Sequence, residues 1–398
     1  MTAGEEPHKS GFVLSGGGAY AAYEVGVMRA LCTGASPATT FEPIEVEVIS
    51  GTSAGSINAA VVAAAPWGDS VAAVDYLERI WVTRIADQPG MCGSNVLRLR
   101  ANPLSLLNPT CLASPAFYAD FAHDVAHLVE ETAERGALFV NAATPLRQRV
   151  IEALDLGTLI SGAPLRQALL EVMDFDRLRN SPRAVRIAAT NWRTGELRVF
   201  RNEDMTDADG VNILLASSAI PGIFPSVEIG NEPHVDGGVV MNTPLRPAIQ
   251  AGATMLHVIY MDPDVRRIPL PRLRNTLNTL YRTLVISFGL TVSRDIRVAA
   301  GINLRVRESE ANAYSTVLTG ERRQRRYRPL VIHRFYPAED LGGTFRWLDF
   351  DRAHVISLID RGYRDACTHD CVANRCVVPG REEEIARTEA PAWIRRDA

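Results

Sequence analysis

Gly51-Thr52-Ser53-Ala54-Gly55 is the stretch of this chain whose spacing points most directly to chemistry. A G-x-S-x-G pattern between a strand and a helix makes a nucleophile elbow. The glycines leave room for a tight turn, and the turn exposes the serine hydroxyl. Both flanks fit: Val46-Glu47-Val48-Ile49-Ser50 reads as a short buried strand, and Ala54 to Ala65 as an Ala-rich helix ended by Pro66. Ser53 is the candidate nucleophile, with Gly51 and Gly55 supporting the elbow.

Gly16-Gly17-Gly18 has the same grammar, between a strand at Gly11 to Ser15 and a helix from about Ala19 to Cys32. Glycines at a helix start let unpaired backbone N–H groups face an anion, either a phosphate or the oxyanion of an acyl-transfer intermediate. Removing one such donor typically costs about 3–4 kcal/mol of transition-state stabilisation. A rival reading is the dinucleotide fingerprint G-x-G-x-x-A, with Glu42 or Glu45 near the acidic position. That pattern is weak alone and leaves Ser53 without a purpose. An oxyanion hole is the reading that uses both turns.

The third stretch is Asp236-Gly237-Gly238, at the end of Pro233-His234-Val235-Asp236, which pairs with Ser226-Val227-Glu228-Ile229 through Gly230-Asn231. A carboxylate is a weak base with an ordinary pKa near 4. Held against a serine hydroxyl in a dry site, it can still take the proton as attack proceeds. His234 lies two residues earlier, on Asp236's face of the strand. It and Tyr20 are candidate modulators. His333 or His354 would satisfy the Ser…Asp…His order of an α/β-hydrolase, but neither sits in a recognisable loop.

With these three motifs in this order, the chain resembles the patatin-like phospholipases. Ala189-Thr190-Asn191, Thr194-Gly195-Glu196, the run Ala216 to Pro225 and Asp236 to Pro244 look like further blocks of that family. The resemblance implies a three-layer α/β/α fold with a mostly parallel central sheet, helical insertions and a C-terminal helical extension. It implies a Ser–Asp dyad of Ser53 and Asp236, oxyanion donors Gly16, Gly17 and Gly18, and support from Gly237 and Gly238. The implied activity is that of a serine lipid acyl hydrolase acting on lipid or lysolipid esters, with no metal or cofactor. A transacylase and a catalytically silent lipid-binding module are the alternatives. One departure stands out: the family usually carries Arg or Lys, then Gly, where this chain has Tyr20 and Ala21. Any charge support from that position is lost.

The rest of the chain must position these parts. At 398 residues and 46% hydrophobic content, it can bury a large core. A net charge of −4 gives no sign of nucleic-acid binding. Lys9 is the only lysine, so the basic side is nearly all arginine. No signal peptide or apolar run of membrane-spanning length is visible, which makes a cytoplasmic protein the default. The cysteines Cys32, Cys92, Cys111, Cys367, Cys371 and Cys376 are then expected to be mostly reduced. Cys367-x-His369-x-Cys371 with Cys376 groups metal-type ligands, but the spacing fits no standard zinc pattern well, so plain thiols are expected. His123 and His127, one helical turn apart, lack the Glu of a metalloprotease motif and read as an exposed helix face.

Residues 9–262 form the expected catalytic core, with a lid-like insertion around 84–180 whose Leu104 to Leu112 segment is the candidate for acyl-chain contact. Residues 263–378 form a helical and strand extension with strands and helices near Leu330 to Phe335 and Asp351 to Ala366. Residues 379–398 are expected to be a loose tail. The run Arg322, Arg323, Arg325, Arg326 and Arg328 offers peripheral contact with an anionic membrane, or a solvated, acid-paired surface. Oligomeric state is not legible.

Overall fold

The computed structural model describes residues 8–88, 94–141, 160–261, 276–313, 329–343 and 346–389. Its strands are β1 (Ser10–Leu14), β2 (Val48–Thr52), β3 (Arg98–Leu99), β4 (Ile160–Ser161), β5 (Ala184–Asn191), β6 (Leu197–Phe200), β7 (Val227–Ile229), β8 (Glu232–Asp236), β9 (Met255–Ile259) and β10 (Val331–Phe335). The central sheet has the order β10-β9-β1-β2-β5-β8-β7, with β6 also paired to β5. From β10 to β5 every pairing is parallel; β6, β7 and β8 add antiparallel edges.

Side chains alternate across the sheet, which separates two apolar layers. Phe12 and Leu14 of β1 join a cluster with Val25 and Met28 of helix Ala22–Cys32, Ile57 of helix Ala54–Ala64 and Leu77 of helix Ser70–Ile80. Val13 faces the other way, toward Val258, Ile332 and, from helix Thr276–Ala313, Val292 and Ile296. This is the three-layer α/β/α arrangement expected from the sequence.

Strand β2 starts and ends two residues later than its apolar run suggested. Glu47 is spent on β1 instead: its N–H donates to Ser10 O (3.0 Å) and its carboxylate accepts from Ser10 N–H (2.7 Å). The shift carries β2 through Thr52, so Ser53 falls directly at the strand's end. The β7–β8 turn follows its chemistry, with Gly230 (φ 58°) and Asn231 (φ 63°) both left-handed, as a two-residue I′ hairpin requires.

The C-terminal residues are tied to the core. β10 extends the same sheet, and helix Arg352–Cys367 crosses helix Ala22–Cys32 where two glycines meet. A Cβ on Gly26 would overlap Ile359 O, and one on Gly362 would overlap Tyr23 O. The expected loose tail gives way to a docked helix, Glu382–Thr388. Ile385 is buried in the core, Glu382 pairs with Arg307 (2.8 Å), and Glu389 pairs with the nearly buried Arg334 (2.7 Å). The charge that suggested a solvated tail is partly consumed by these pairs. Residues 390–398 lie outside the described residues. Among the described residues, no helix is long and apolar enough to cross a membrane.

Candidate functional site

Register brings the three motifs together. Leu14 lies opposite Gly51, Thr52 opposite Ala188, and Ala189 opposite Asp236. Continued by one or two residues, those pairings put Gly16, Ser53 and Asp236 in one row across the sheet. Positions 183 apart in sequence (236 − 53) thus lie in one row, with Ala189 of β5 between them. Gly16, Gly17, Gly18, Ser53, Asp236 and Gly238 line one cavity of about 70 Å³.

Ser53 has φ 54° and ψ −132°, a conformation L residues rarely adopt. Its surroundings hold it there. The Ser53 N–H donates to Ser217 Oγ (2.9 Å), whose hydroxyl donates in turn to Ala188 O (2.7 Å). Gly51 and Gly55 are required by close approach: a Cβ on Gly51 would overlap Gly55 O, and one on Gly55 would lie 2.6 Å from Ser15 O.

Asp236 is 5% exposed, as is Ser53. Burial pushes its carboxyl up to about 7, outweighing the Gly238 N–H and the nearby Ser53 side chain, which favour the charged form. The Gly238 N–H donates to Oδ1 at 2.7 Å. Thr190 Oγ1 fixes the backbone by donating to Asp236 O (3.0 Å). Gly237 packs so closely on Ala188 that a Cβ would overlap its carbonyl oxygen.

The glycine triplet does not act as a uniform set. Gly16 N–H donates to Asn242 O (3.1 Å), and Asn242 Nδ2 donates back to Gly16 O (3.1 Å). Gly16 is therefore a clamped hinge, a correction to its expected part as an anion donor. No acceptor for the N–H groups of Gly17 or Gly18 is found among the described residues. Gly18 also has φ +57° and a Cβ there would overlap Trp347 O. Of the two acids open to the dinucleotide alternative, Glu45 is ion-paired with the buried Arg183.

Tyr20 lines the cavity that holds Ser53 and Asp236. Its hydroxyl donates to Gly343 O (2.8 Å), tying the glycine turn to the segment before Trp347. His234 is buried with Nδ1 2.8 Å from Glu232 O and its ring edge-on to Phe200, outside the cavity that holds Ser53. We expect His234→Ala to keep ester hydrolysis within about threefold of the native chain while losing about 1–3 kcal/mol of stability. A loss of hydrolysis beyond a hundredfold with stability intact would make His234 part of the chemistry. His354 packs edge-on to Tyr20 and His333 lies on β10; neither lines that cavity.

The apolar lining was only partly legible. A second cavity shares Gly18 and Ser53 with the first and is walled by Ile57, Trp81, Ile85, Val96, Leu165 and Phe350. It adjoins a cavity of about 450 Å³ through Leu165, Ser218 and Phe224, with Arg98, Arg100 and His123 at the far side. Leu104, Leu106, Leu107 and Leu112, expected to touch acyl chains, are exposed and line none of these. Apolar composition identified a sticky segment but not its direction. Val285 and Phe288 of helix Thr276–Ala313 line the Ser53–Asp236 cavity instead. Asp124, between the two helix-face histidines, is buried and paired with Arg98 (3.0 Å), so that face is not wholly exposed. Arg322, Arg323, Arg325, Arg326 and Arg328 lie outside the described residues. Cys32, Cys367, Cys371 and Cys376 are free thiols, whereas Cys111 is disulfide-bonded.

Fold and site together define an α/β/α protein in which a serine elbow and an Asp-Gly-Gly turn share one small cavity. The chain belongs to the patatin-like phospholipase family, whose model matches residues 12–249, more than half of its length. That is a family of lipid acyl hydrolases. Among solved structures, VipD from Legionella pneumophila is similar at 12% identity and a TM-score of 0.32, over 89% of this chain and 67% of that one. No curated protein is significantly similar.

Proposed function

We propose that the protein hydrolyses lipid or lysolipid carboxylic esters through an acyl-enzyme on Ser53, with Asp236 as the base. The observation that carries this reading is the shared row of Ser53, Asp236 and the glycine turn, which line one cavity with both side chains nearly buried.

In the proposed reaction, Ser53 Oγ attacks the ester carbonyl carbon and Asp236 accepts the hydroxyl proton. The developing oxyanion is held by the free N–H groups of Gly17 and Gly18. The tetrahedral intermediate collapses, the carbon–oxygen bond to the alcohol breaks, and Asp236 returns the proton to the leaving oxygen. Water then attacks the acyl-enzyme, again losing its proton to Asp236, and the fatty acid leaves as Ser53 is restored. The acyl chain runs from Ser53 between Ile57, Trp81 and Phe350 toward Leu165 and Phe224, where apolar walls take it out of water.

Reaction with a fluorophosphonate followed by peptide mapping tests this. The expected result is a single adduct on Ser53, with loss of p-nitrophenyl ester hydrolysis in step with labelling. Hydrolysis that persists with Ser53 fully labelled overturns the reading.

A further inference from the structure

We propose that His333, His369, Cys371 and Cys376 form a structural zinc site that staples the C-terminal segment to the edge of the sheet. Their four ligand atoms all lie within 4.8 Å of one another. Cys371 Sγ is 3.4 Å from His333 Nδ1 and 3.5 Å from His369 Nε2, and Cys376 Sγ is 3.4 Å from that same Nε2. Zinc–sulfur bonds near 2.3 Å and zinc–nitrogen bonds of 2.0–2.1 Å, set at tetrahedral angles, put sulfur and nitrogen about 3.5 Å apart. The three contacts are edges of such a tetrahedron.

The backbone is shaped for the purpose. Cys371 and Cys376 stand at the two ends of a tight turn in which Cys376 N–H donates to Cys371 O (2.9 Å) and Arg375 takes a left-handed φ of 53°. The Arg334 N–H donates to Cys376 Sγ (3.4 Å), the kind of contact that offsets charge on a thiolate. Asn374 Nδ2 donates to Arg334 O (3.0 Å) and lies 3.1 Å from His369 Nδ1, packing the turn against the His369 ring. Two thiolates and two imidazoles in tetrahedral array suit zinc, and four protein ligands leave no open position for a reactant. The role is mechanical. β10 and Val377 already exchange hydrogen bonds through Ile332 (2.8 and 2.9 Å), and the metal would lock that pairing.

The linear motif misled for a plain reason. Cys367 is not a member, and the missing fourth ligand is His333, which comes from β10, 36 residues before His369 (369 − 333).

The test uses the full chain purified without chelator. Metal analysis is expected to find about one zinc per chain. Cobalt added to the reduced, chelator-stripped chain is expected to give the visible bands and near-ultraviolet thiolate absorption of a tetrahedral site. Cys376→Ser and His369→Ala are expected to lose the zinc, while Cys367→Ser keeps it. Should those variants fail to fold, alkylation mapping of the native chain decides: zinc is expected to protect Cys371 and Cys376, and a chelator to expose them. A reduced chain that takes up neither zinc nor cobalt overturns the proposal. So does zinc retained in full by Cys376→Ser, or a Cys371–Cys376 disulfide in the chain as purified.

Discussion

Ser53→Ala and Ser53→Gly are both expected to lower ester hydrolysis by about 10⁴–10⁶-fold, because in the proposed mechanism no other group supplies the attacking oxygen. Their stabilities should part company. The native serine sits at φ 54° and ψ −132°, and strain of this kind costs about 1–3 kcal/mol. Alanine keeps the Cβ and therefore the strain. Glycine removes it, at about 0.5–1 kcal/mol of added chain entropy in the unfolded state. Ser53→Gly is thus expected to be about 1 kcal/mol more stable than Ser53→Ala in urea unfolding. Equal stability would mean that the elbow is relaxed, and residual hydrolysis above one hundredth of the native rate would move the nucleophile elsewhere.

Local signals were enough for the parts of the site, though not for their assembly. Each glycine motif follows an apolar run and precedes a helix, so β1, β2 and the helices after them could be read from neighbouring residues alone. The Gly230-Asn231 turn was equally local. Their meeting depends on register between strands far apart in sequence, and no local pattern encodes that Ala189 faces Asp236. The same limit hid Ser217, which holds the Ser53 amide, and Asn242, which clamps Gly16. Both are ordinary polar residues whose importance comes only from what lies across the fold. Nothing along helix Thr276–Ala313 says that Val285 and Phe288 line the cavity. Leu104 and Leu107 show the converse, an apolar segment that stays exposed.

Asp236→Asn is expected to lower hydrolysis by at least about 10³-fold, since an amide cannot take the serine proton. The native pH profile should carry the signature of the same group. Burial raises the Asp236 carboxyl to about 7, so only above that pH is most of it ionised and able to act as base. The ratio kcat/KM is therefore expected to rise with pH through an apparent pKa of about 7 and then level off. Stability should move the opposite way. The folded-state pKa lies above the ordinary carboxylate value, so the native chain loses stability as pH climbs from about 4 toward 7, as the buried group is forced to ionise. Asparagine has no such cost. In urea, the advantage of Asp236→Asn over the native chain should widen across that interval by up to about 4 kcal/mol and stay constant above it. A flat activity profile between pH 5 and 9, together with a pH-independent stability difference, would mean that Asp236 is ionised throughout and that burial does not tune it. The joint outcome, a carboxylate that destabilises the fold over the same pH range in which it becomes able to take a proton, is what a base held for catalysis in a dry cavity should produce.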